Sequence, residues 1–475
     1  MGFDFLDFGF PKSGTDWKSL NGKPNVTISN KGRSNQKSNK INDGCDFGPD
    51  TTLGATSPNQ TGPPYSKTLG INEMLAYFVA NGGGHAIMKN GIYDVTNAPF
   101  VGMNGNVNNG VSALFSQIHA PSIDDNTTLI PIIIEGESAA SGFSYNGYSA
   151  NTNGVIIQSL ANPGNVNYAI WMDEAQVGGP ADLAMNWIRL NNITFRTQQG
   201  ATLSGLRHDY DIKVADGFLS FDINTSLAID QITPSDLNQG QAYGFCSSSG
   251  AALPQYAEYL HIVGYYYAVG MQSHSNIGKL DIYNCYYMLN TGNVPYPMQI
   301  TKADVQNTIY VIACGGNVAT ISIDSLLLGD NMGVASGTSP MQMQYLVYDP
   351  NNYLHGQITV FPDFNVAPFT LDNFISGGSN FRINSPSRDR IQLVPTTPAV
   401  PASGTAQQNV KPYPVNVYLY GGTVTEIQIT KNGIANTVFS NASGLALSGQ
   451  VYKLNPSDSI TITYTTAPSW MWLSD

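Results

Sequence analysis

Only one stretch of this chain spaces its apolar residues convincingly for a helix. Ile71, Leu75, Phe78 and Val79 fall on one face, and Gly82-Gly83-Gly84 ends the segment. The pattern predicts a short amphipathic helix near 71–80. A strand follows over 85–88, then an Asn90-Gly91 turn and a second strand over 92–95. Such a helix must lie over apolar surface, and the open end of a stacked-sheet core provides it.

Downstream the pattern repeats. Leu260-His261-Ile262-Val263-Gly264-Tyr265-Tyr266-Tyr267-Ala268-Val269-Gly270 aligns with Leu280-Asp281-Ile282-Tyr283-Asn284-Cys285-Tyr286-Tyr287-Met288-Leu289-Asn290. A third copy begins at Ile321-Ser322-Ile323, and Ile188-Arg189-Leu190 opens a similar unit upstream. Each unit reads apolar-x-apolar, two small or polar residues, then a further apolar strand. Coils of ~20–25 residues that cannot bury their inward side chains alone bury them by stacking, at ~4.8 Å per coil. Asn and Gly at the bends suit left-handed turns. The expectation is an all-β chain: a right-handed, single-stranded parallel β-helix over 46–394, with the helix near 71–80 capping its N-terminal end.

Outside that body the pattern changes. Residues 1–10 alternate aromatics with acids, which predicts a short adhesive strand that either docks into a partner or caps the protein's own core. Residues 11–45 are rich in Lys, Asn, Ser and Gly and predict a flexible tether. A Pro/Ala/Ser linker is expected over 395–412. A small C-terminal module, β-sandwich-like, is expected over 413–475, with strands near 415–420, 424–430, 437–439 and 459–464.

Composition narrows the function classes. Charged residues make up 11% of the 475, about half the usual share, while Gly (48), Pro (27) and Tyr (26) are abundant. The net charge is −12, yet residues 1–45 carry seven basic side chains against four acidic. An acidic body excludes non-specific nucleic-acid binding. No run reaches transmembrane length, and the acids in Met1–Phe8 read as no secretory leader. Six N-x-[ST] sequons, at Asn25, Asn59, Asn126, Asn192, Asn224 and Asn441, accord with an external life. The four cysteines lack metal-ligand spacing; Cys285 reads as a buried small hydrophobe, and one disulfide is open. No metal or cofactor is implied.

The helix, the Gly82-Gly83-Gly84 strand and Asn90-Gly91-Ile92-Tyr93-Asp94-Val95 together resemble the N-terminal capping unit of the pectate-lyase-like β-helix superfamily. Ile132-Ile133-Ile134-Glu135-Gly136-Glu137-Ser138 is similar to that family's first full rung. The match spans about 25 residues by the family's familiar unit length. The resemblance implies a groove along the helix flank and an action on polysaccharides.

Hydrolysis there needs two carboxylates, ~5–5.5 Å apart for retention or ~6.5–9.5 Å for inversion. Asp173-Glu174 stand together, and Asp209 and Asp211 share one side of a strand near Arg207, suited to an acidic sugar, and His208. Asp209 and Asp211 read more readily as solvated turn residues beside a bend. The hydrolase family's Gly-His-Gly and Arg-x-Lys are missing, which leaves family-type catalysis in doubt. Tyrosines recur through the repeats, and Tyr265, Tyr267, Tyr283 and Tyr287 are the candidate glycan contacts. The resulting expectation is a tailspike-like or adhesin-like protein on a virion or cell exterior, binding surface glycans, anchored through residues 1–45 and, by analogy with tailspikes, a homotrimer. A polysaccharide hydrolase or lyase, and a structural surface-layer or fibre subunit, stand as alternatives.

Overall fold

The computed structural model describes residues 22–32, 41–102, 115–119, 130–138, 153–163, 167–172, 186–208, 213–228, 231–247, 255–270, 275–291, 297–316, 318–329, 341–362, 369–370, 374–378, 380–386, 391–392 and 395–474. It divides into two compact units, Met1–Ile229 with Ser235–Val263, and Asp230–Pro234 with Gly264–Asp475.

The first unit is built from parallel strands in stacked series. Asn25–Ile28, Gly84–Met88, Ile130–Gly136, Asn186–Asn191, Lys213–Asn224 and Gln255–Val263 lie side by side. A second series joins Gly91–Asp94, Val155–Ser159, Ile193–Gln198 and the later part of Lys213–Asn224. A third joins Phe115–His119, Asn167–Met172, Leu203–His208 and Asn238–Ser247. The chain visits the series in turn and starts again, so equal positions of successive circuits stack. This is compatible with a parallel β-helix. Inward residues stack on their equivalents, as Phe195 does on Phe221 (5.2 Å, stacked), and meet residues of another series across the core, as Phe221 meets Phe245 (5.8 Å).

The helix spans Ile71–Ala80 and buries Ile71, Met74, Leu75 and Phe78. Val79, expected on the apolar face, is only half-buried. Phe78 lies so close over Gly84 that any side chain there would collide with its ring. Glu73 is buried on the helix because its carboxylate accepts from Ser66 Oγ (2.6 Å) and the Gly54 amide (3.2 Å).

Part of the expected tether is built into the fold. Asn25–Ile28 pairs in register with His85–Met88, and Ile28, Cys45 and Phe47 are buried. The polar, aperiodic composition hid a short strand whose alternate residues Val26 and Ile28 face the core. Residues 1–21 lie outside the described residues.

In the second unit, Ser275–Tyr283, Pro297–Gln306, Ala319–Leu328, Leu354–Pro362 and Phe381–Asn384 form one parallel series. Tyr265–Gly270, Tyr287–Asn290, Tyr310–Ala313, Tyr345–Asp349 and Ile375–Gly377 form another. Single left-handed residues turn the chain from the first series to the second, Asn284 (φ 50°) and Asn307 (φ 47°), and Gly264 (φ 83°) leads into Tyr265–Gly270. The repeat pairing of 265–270 with 285–290 is the observed one, since Tyr267 is level with Tyr287 and Val269 with Leu289. The third copy is not in the expected register. Leu280 is level with Ala303, and Ala303 with Leu326 rather than Ile321. Ala319–Leu328 carries two apolar-x-apolar pairs, Ile321/Ile323 and Leu326/Leu328, all buried, and the pattern matches either.

Residues 406–474 form a five-stranded antiparallel sheet. Val415–Lys431 pairs along one edge with Ile434–Leu454, and along the other with Ser459–Thr466 and then Ser469–Ser474. Strands expected as separate pieces are thus single long ones, bent at Gly421-Gly422 (φ 63° and 69°). Their inner faces enclose one core of Tyr413, Val415, Val417, Leu419, Val424, Ile427, Ile460, Ile462, Trp470 and Trp472. The expected linker is part of this body. Ala406–Gln408 pairs with Ser459–Thr461, Trp470 Nε1 donates to the Pro398 carbonyl (2.7 Å), and Tyr464 Oη to that of Pro401 (2.7 Å). Proline there supplies carbonyl acceptors at a sheet margin where it forfeits no ladder bond.

Candidate functional site

The repeat puts aromatic residues at the same level of successive coils. In the second unit the parallel register stacks Tyr267, Tyr287, Tyr310 and Tyr345 in one column. One residue earlier, Tyr266 and Tyr286 stand beside it, and Tyr348 closes it at the far end. All seven residues are half-buried, so each keeps part of its surface in solvent.

The rings are in contact throughout. Tyr266 stacks on Tyr286 at 4.6 Å with planes 13° apart, and Tyr267 on Tyr287 at 5.2 Å and 20°. Tyr310 is the hub: it meets Tyr286 at 5.5 Å, Tyr287 at 4.8 Å, Tyr345 at 5.4 Å and Tyr348 at 5.8 Å. Stacking at these distances turns ring faces toward one another rather than outward. The aromatic faces expected to meet sugars are therefore largely occupied, and the ladder offers ring edges and phenol hydroxyls instead.

Four of the ladder's phenols are held in the neutral form. Burial raises the hydroxyl pKa of Tyr266, Tyr267, Tyr287 and Tyr310, and neighbouring phenols raise it further, since one phenolate disfavours the next. A hydrogen bond with the Asn290 side chain partly opposes this at Tyr267. Tyr266, Tyr267, Tyr287 and Tyr310 thus keep neutral hydroxyls across physiological pH.

The candidate residues divide accordingly. Tyr267 and Tyr287 belong to the ladder. Tyr265 is fully buried and is no surface contact, because its position faces the core, as Cys285 does one coil on. Tyr283 lies on the other series, half-buried, within 3.5 Å of Gln306 Nε2. Tyr266, Tyr286, Tyr310, Tyr345 and Tyr348 are ladder members that the candidate set omitted. Recurrence in the sequence flagged most of them, but only the coil register assigns a side. Asp173, Glu174, Asp209 and Asp211 lie outside the described residues. Arg207 stands in the strand Leu203–His208, level with Trp171 and Cys246, and its side chain is not among those described.

All four cysteines are buried thiols outside any disulfide, and burial pushes the Cys285 thiol up to about 12. Among the described residues no group of three or more His, Cys, Asp or Glu side chains is placed to hold a metal ion, and no helix is long and apolar enough to cross a membrane. No protein-family model and no curated protein matches the chain.

Proposed function

We propose that this chain is a glycan-binding protein of a virion surface or other extracellular setting, similar to tailspikes and adhesins of the pectate-lyase-like superfamily. In this reading the stacked coils wind as a right-handed β-helix, a host polysaccharide lies along its flank, residues 1–45 anchor the chain, and the assembly is a homotrimer. The observation that carries the reading is the tyrosine ladder. Its central column, Tyr267, Tyr287, Tyr310 and Tyr345, repeats one hydroxyl per coil, a rise close to that of one sugar in an extended chain. It is read by hydrogen bonds and ring edges, not by stacking on open faces, and its neutrality suits uncharged sugars.

The test is retention of envelope polysaccharides from candidate hosts, with bound and released sugar read by mass spectrometry. Wild type is expected to retain intact glycan. Tyr287→Phe, Tyr310→Phe and Tyr345→Phe keep every ring and remove a hydroxyl. Each is expected to weaken retention roughly 2–10-fold, the net value of one hydrogen bond, with the melting temperature little changed. Retention untouched by all three would remove the ladder from the binding surface. Defined short oligomers in the released fraction would replace the adhesin with a hydrolase or lyase.

A further inference from the structure

On one outward face of the first unit, polar side chains are buried. In the series of Gly91–Asp94, Val155–Ser159, Ile193–Gln198 and the later part of Lys213–Asn224, Tyr93, Ile157, Phe195 and Phe221 share one inward level. Their chain neighbours therefore point the other way. One outward level runs Ile92, Ile156, Thr194 and Ser220, then His261 of Gln255–Val263. The next runs Asp94, Gln158, Arg196 and Asp222. Asp94 is exposed and Gln158 half-buried, whereas Thr194, Arg196, Ser220 and Asp222 are fully buried. His261 is 6% exposed.

Within this cluster Arg196 and Asp222 answer each other through two hydrogen bonds of 2.8 Å. Ser220 Oγ makes no hydrogen bond among the described residues. A buried hydroxyl without a partner destabilises a fold that alanine would serve better, so such a group calls for a role. Its neighbour supplies one. His261 is level with Ser220 on the adjoining strand. Level residues of paired strands lie ~4.8 Å apart with side chains on the same face, so rotation about χ1 brings the hydroxyl within reach of the imidazole. His261 packs against Phe218 (6.4 Å, planes 30° apart), and Phe218 meets Tyr259 edge-on at 4.9 Å. Both of these aromatic residues are half-buried, so the imidazole beside Ser220 adjoins a shelf that reaches solvent.

We propose that Ser220 and His261 form an acyl-transfer site that hydrolyses uncharged esters of short acyl groups. His261 takes the Oγ–H proton as Oγ bonds to the acyl carbon. The ester C–O bond breaks, and the departing alcohol oxygen takes that proton from His261. Water then attacks the acyl-serine and gives a proton to His261; the carboxylic acid departs, and Ser220 Oγ recovers the proton. The sum is ester plus water to acid plus alcohol. The surroundings select the substrate. The Arg196–Asp222 pair cancels its own charge, so it adds none to the site. Phe218 and Tyr259 offer apolar surface to the ester at the rim. Full burial of Ser220 restricts the acyl group to a small one. The site belongs to the first unit and does not rest on the tyrosine ladder.

The test treats the full chain with p-nitrophenyl acetate and, separately, with phenylmethylsulfonyl fluoride, and maps adducts by peptide mass spectrometry. Wild type is expected to hydrolyse the ester and to carry the sulfonyl group on Ser220. Ser220→Ala is expected to abolish that adduct and to melt no lower than wild type, since it removes an unpaired hydroxyl. His261→Gln is expected to slow sulfonylation of Ser220 roughly 100-fold or more, the share of a general base, with the melting temperature near that of wild type. A wild type with no adduct on Ser220 overturns the proposal without reliance on any variant. So does an adduct that forms as fast without the imidazole, or a Ser220→Ala variant that melts well below wild type, which would make the hydroxyl structural. Glycan retention is measured separately, so failure of this site leaves the ladder reading standing, and failure of the ladder leaves this site standing.

Discussion

Replacing Tyr310 by alanine separates what the ladder does for the fold from what it does for a ligand. Tyr310 touches four other rings, at 4.8 to 5.8 Å. Aromatic pairs contribute ~0.5–1.5 kcal/mol each beyond burial, and not additively when they share a ring. Truncating a fully buried aromatic costs ~3–5 kcal/mol, and Tyr310 is half-buried, so its burial share is about half of that. Tyr310→Ala is therefore expected to destabilise the second unit by roughly 3 kcal/mol. Tyr310→Phe keeps all four contacts and is expected to stay within roughly 1 kcal/mol of wild type. Urea unfolding of the full chain, followed by near-ultraviolet circular dichroism of tyrosine, reads both values. A loss below roughly 1 kcal/mol for the alanine variant would show that the rings are merely adjacent. An equal loss for the phenylalanine variant would place the stability in the hydroxyl and refute the stacking account.

Two further outcomes follow from buried chemistry. Arg196 and Asp222 form a fully buried two-bond ion pair, with Nε–Oδ1 and Nη2–Oδ2 both at 2.8 Å; burial pushes the Asp222 carboxyl up and the guanidinium opposes it. Arg196→Met is expected to lower stability by ~3–5 kcal/mol in calorimetry, whereas Arg196→Met with Asp222→Leu recovers most of it, because the orphaned charge is then gone; a double variant as unstable as the single would refute this. The raised hydroxyl pKa of Tyr266, Tyr267, Tyr287 and Tyr310 predicts alkaline sensitivity: their contribution is complete below the unfolded tyrosine value of ~10 and is lost as pH rises from there through the folded values. An ultraviolet titration in which every tyrosine ionises near ~10 without unfolding would contradict it.

How much of this was legible in the sequence depended on whether a residue's role is local. The helix at 71–80, the glycines after it and the strands around Asn90-Gly91 follow from local pattern, and they stand where the pattern puts them. The left-handed bends at Gly264 and Asn284 were legible for the same reason. Register was not local. Ile321-x-Ile323 and Leu326-x-Leu328 are equivalent to the eye, and only hydrogen bonding to the previous coil distinguishes them. Tyr265, Tyr266 and Tyr267 differ by one residue each, yet the first is core and the next two are ladder. Val26 and Ile28 form a strand only because Ala86 and Met88 lie alongside, far along the chain. The same limit applies to Pro398 and Pro401, whose carbonyls anchor aromatic side chains more than sixty residues away.

Charge shows why composition spoke for the fold and not for the ligand. In a parallel stack each outward position recurs one coil later, so a charged side chain meets its own equivalent. Among the described residues of the second unit there is one such case: Lys279 is level with Lys302 and Asp281 with Asp304. Two like charges ~4 Å apart cost roughly 1 kcal/mol in water and roughly 4 near a protein surface. The pairing persists because the two columns neutralise each other, with Lys279 Nζ donating to Asp281 Oδ2 at 2.9 Å. Every charged column needs such a compensating neighbour, so a chain of stacked coils does better with Asn, Ser, Thr, Gln and Tyr outside. Those residues are also the ones that hydrogen-bond sugars. A neutral polar flank is therefore expected of the architecture whether or not a glycan binds it, and its presence alone favours neither reading. What discriminates is a change that leaves the stack intact and alters only the rim, as the loss of a single phenol hydroxyl from the ladder does.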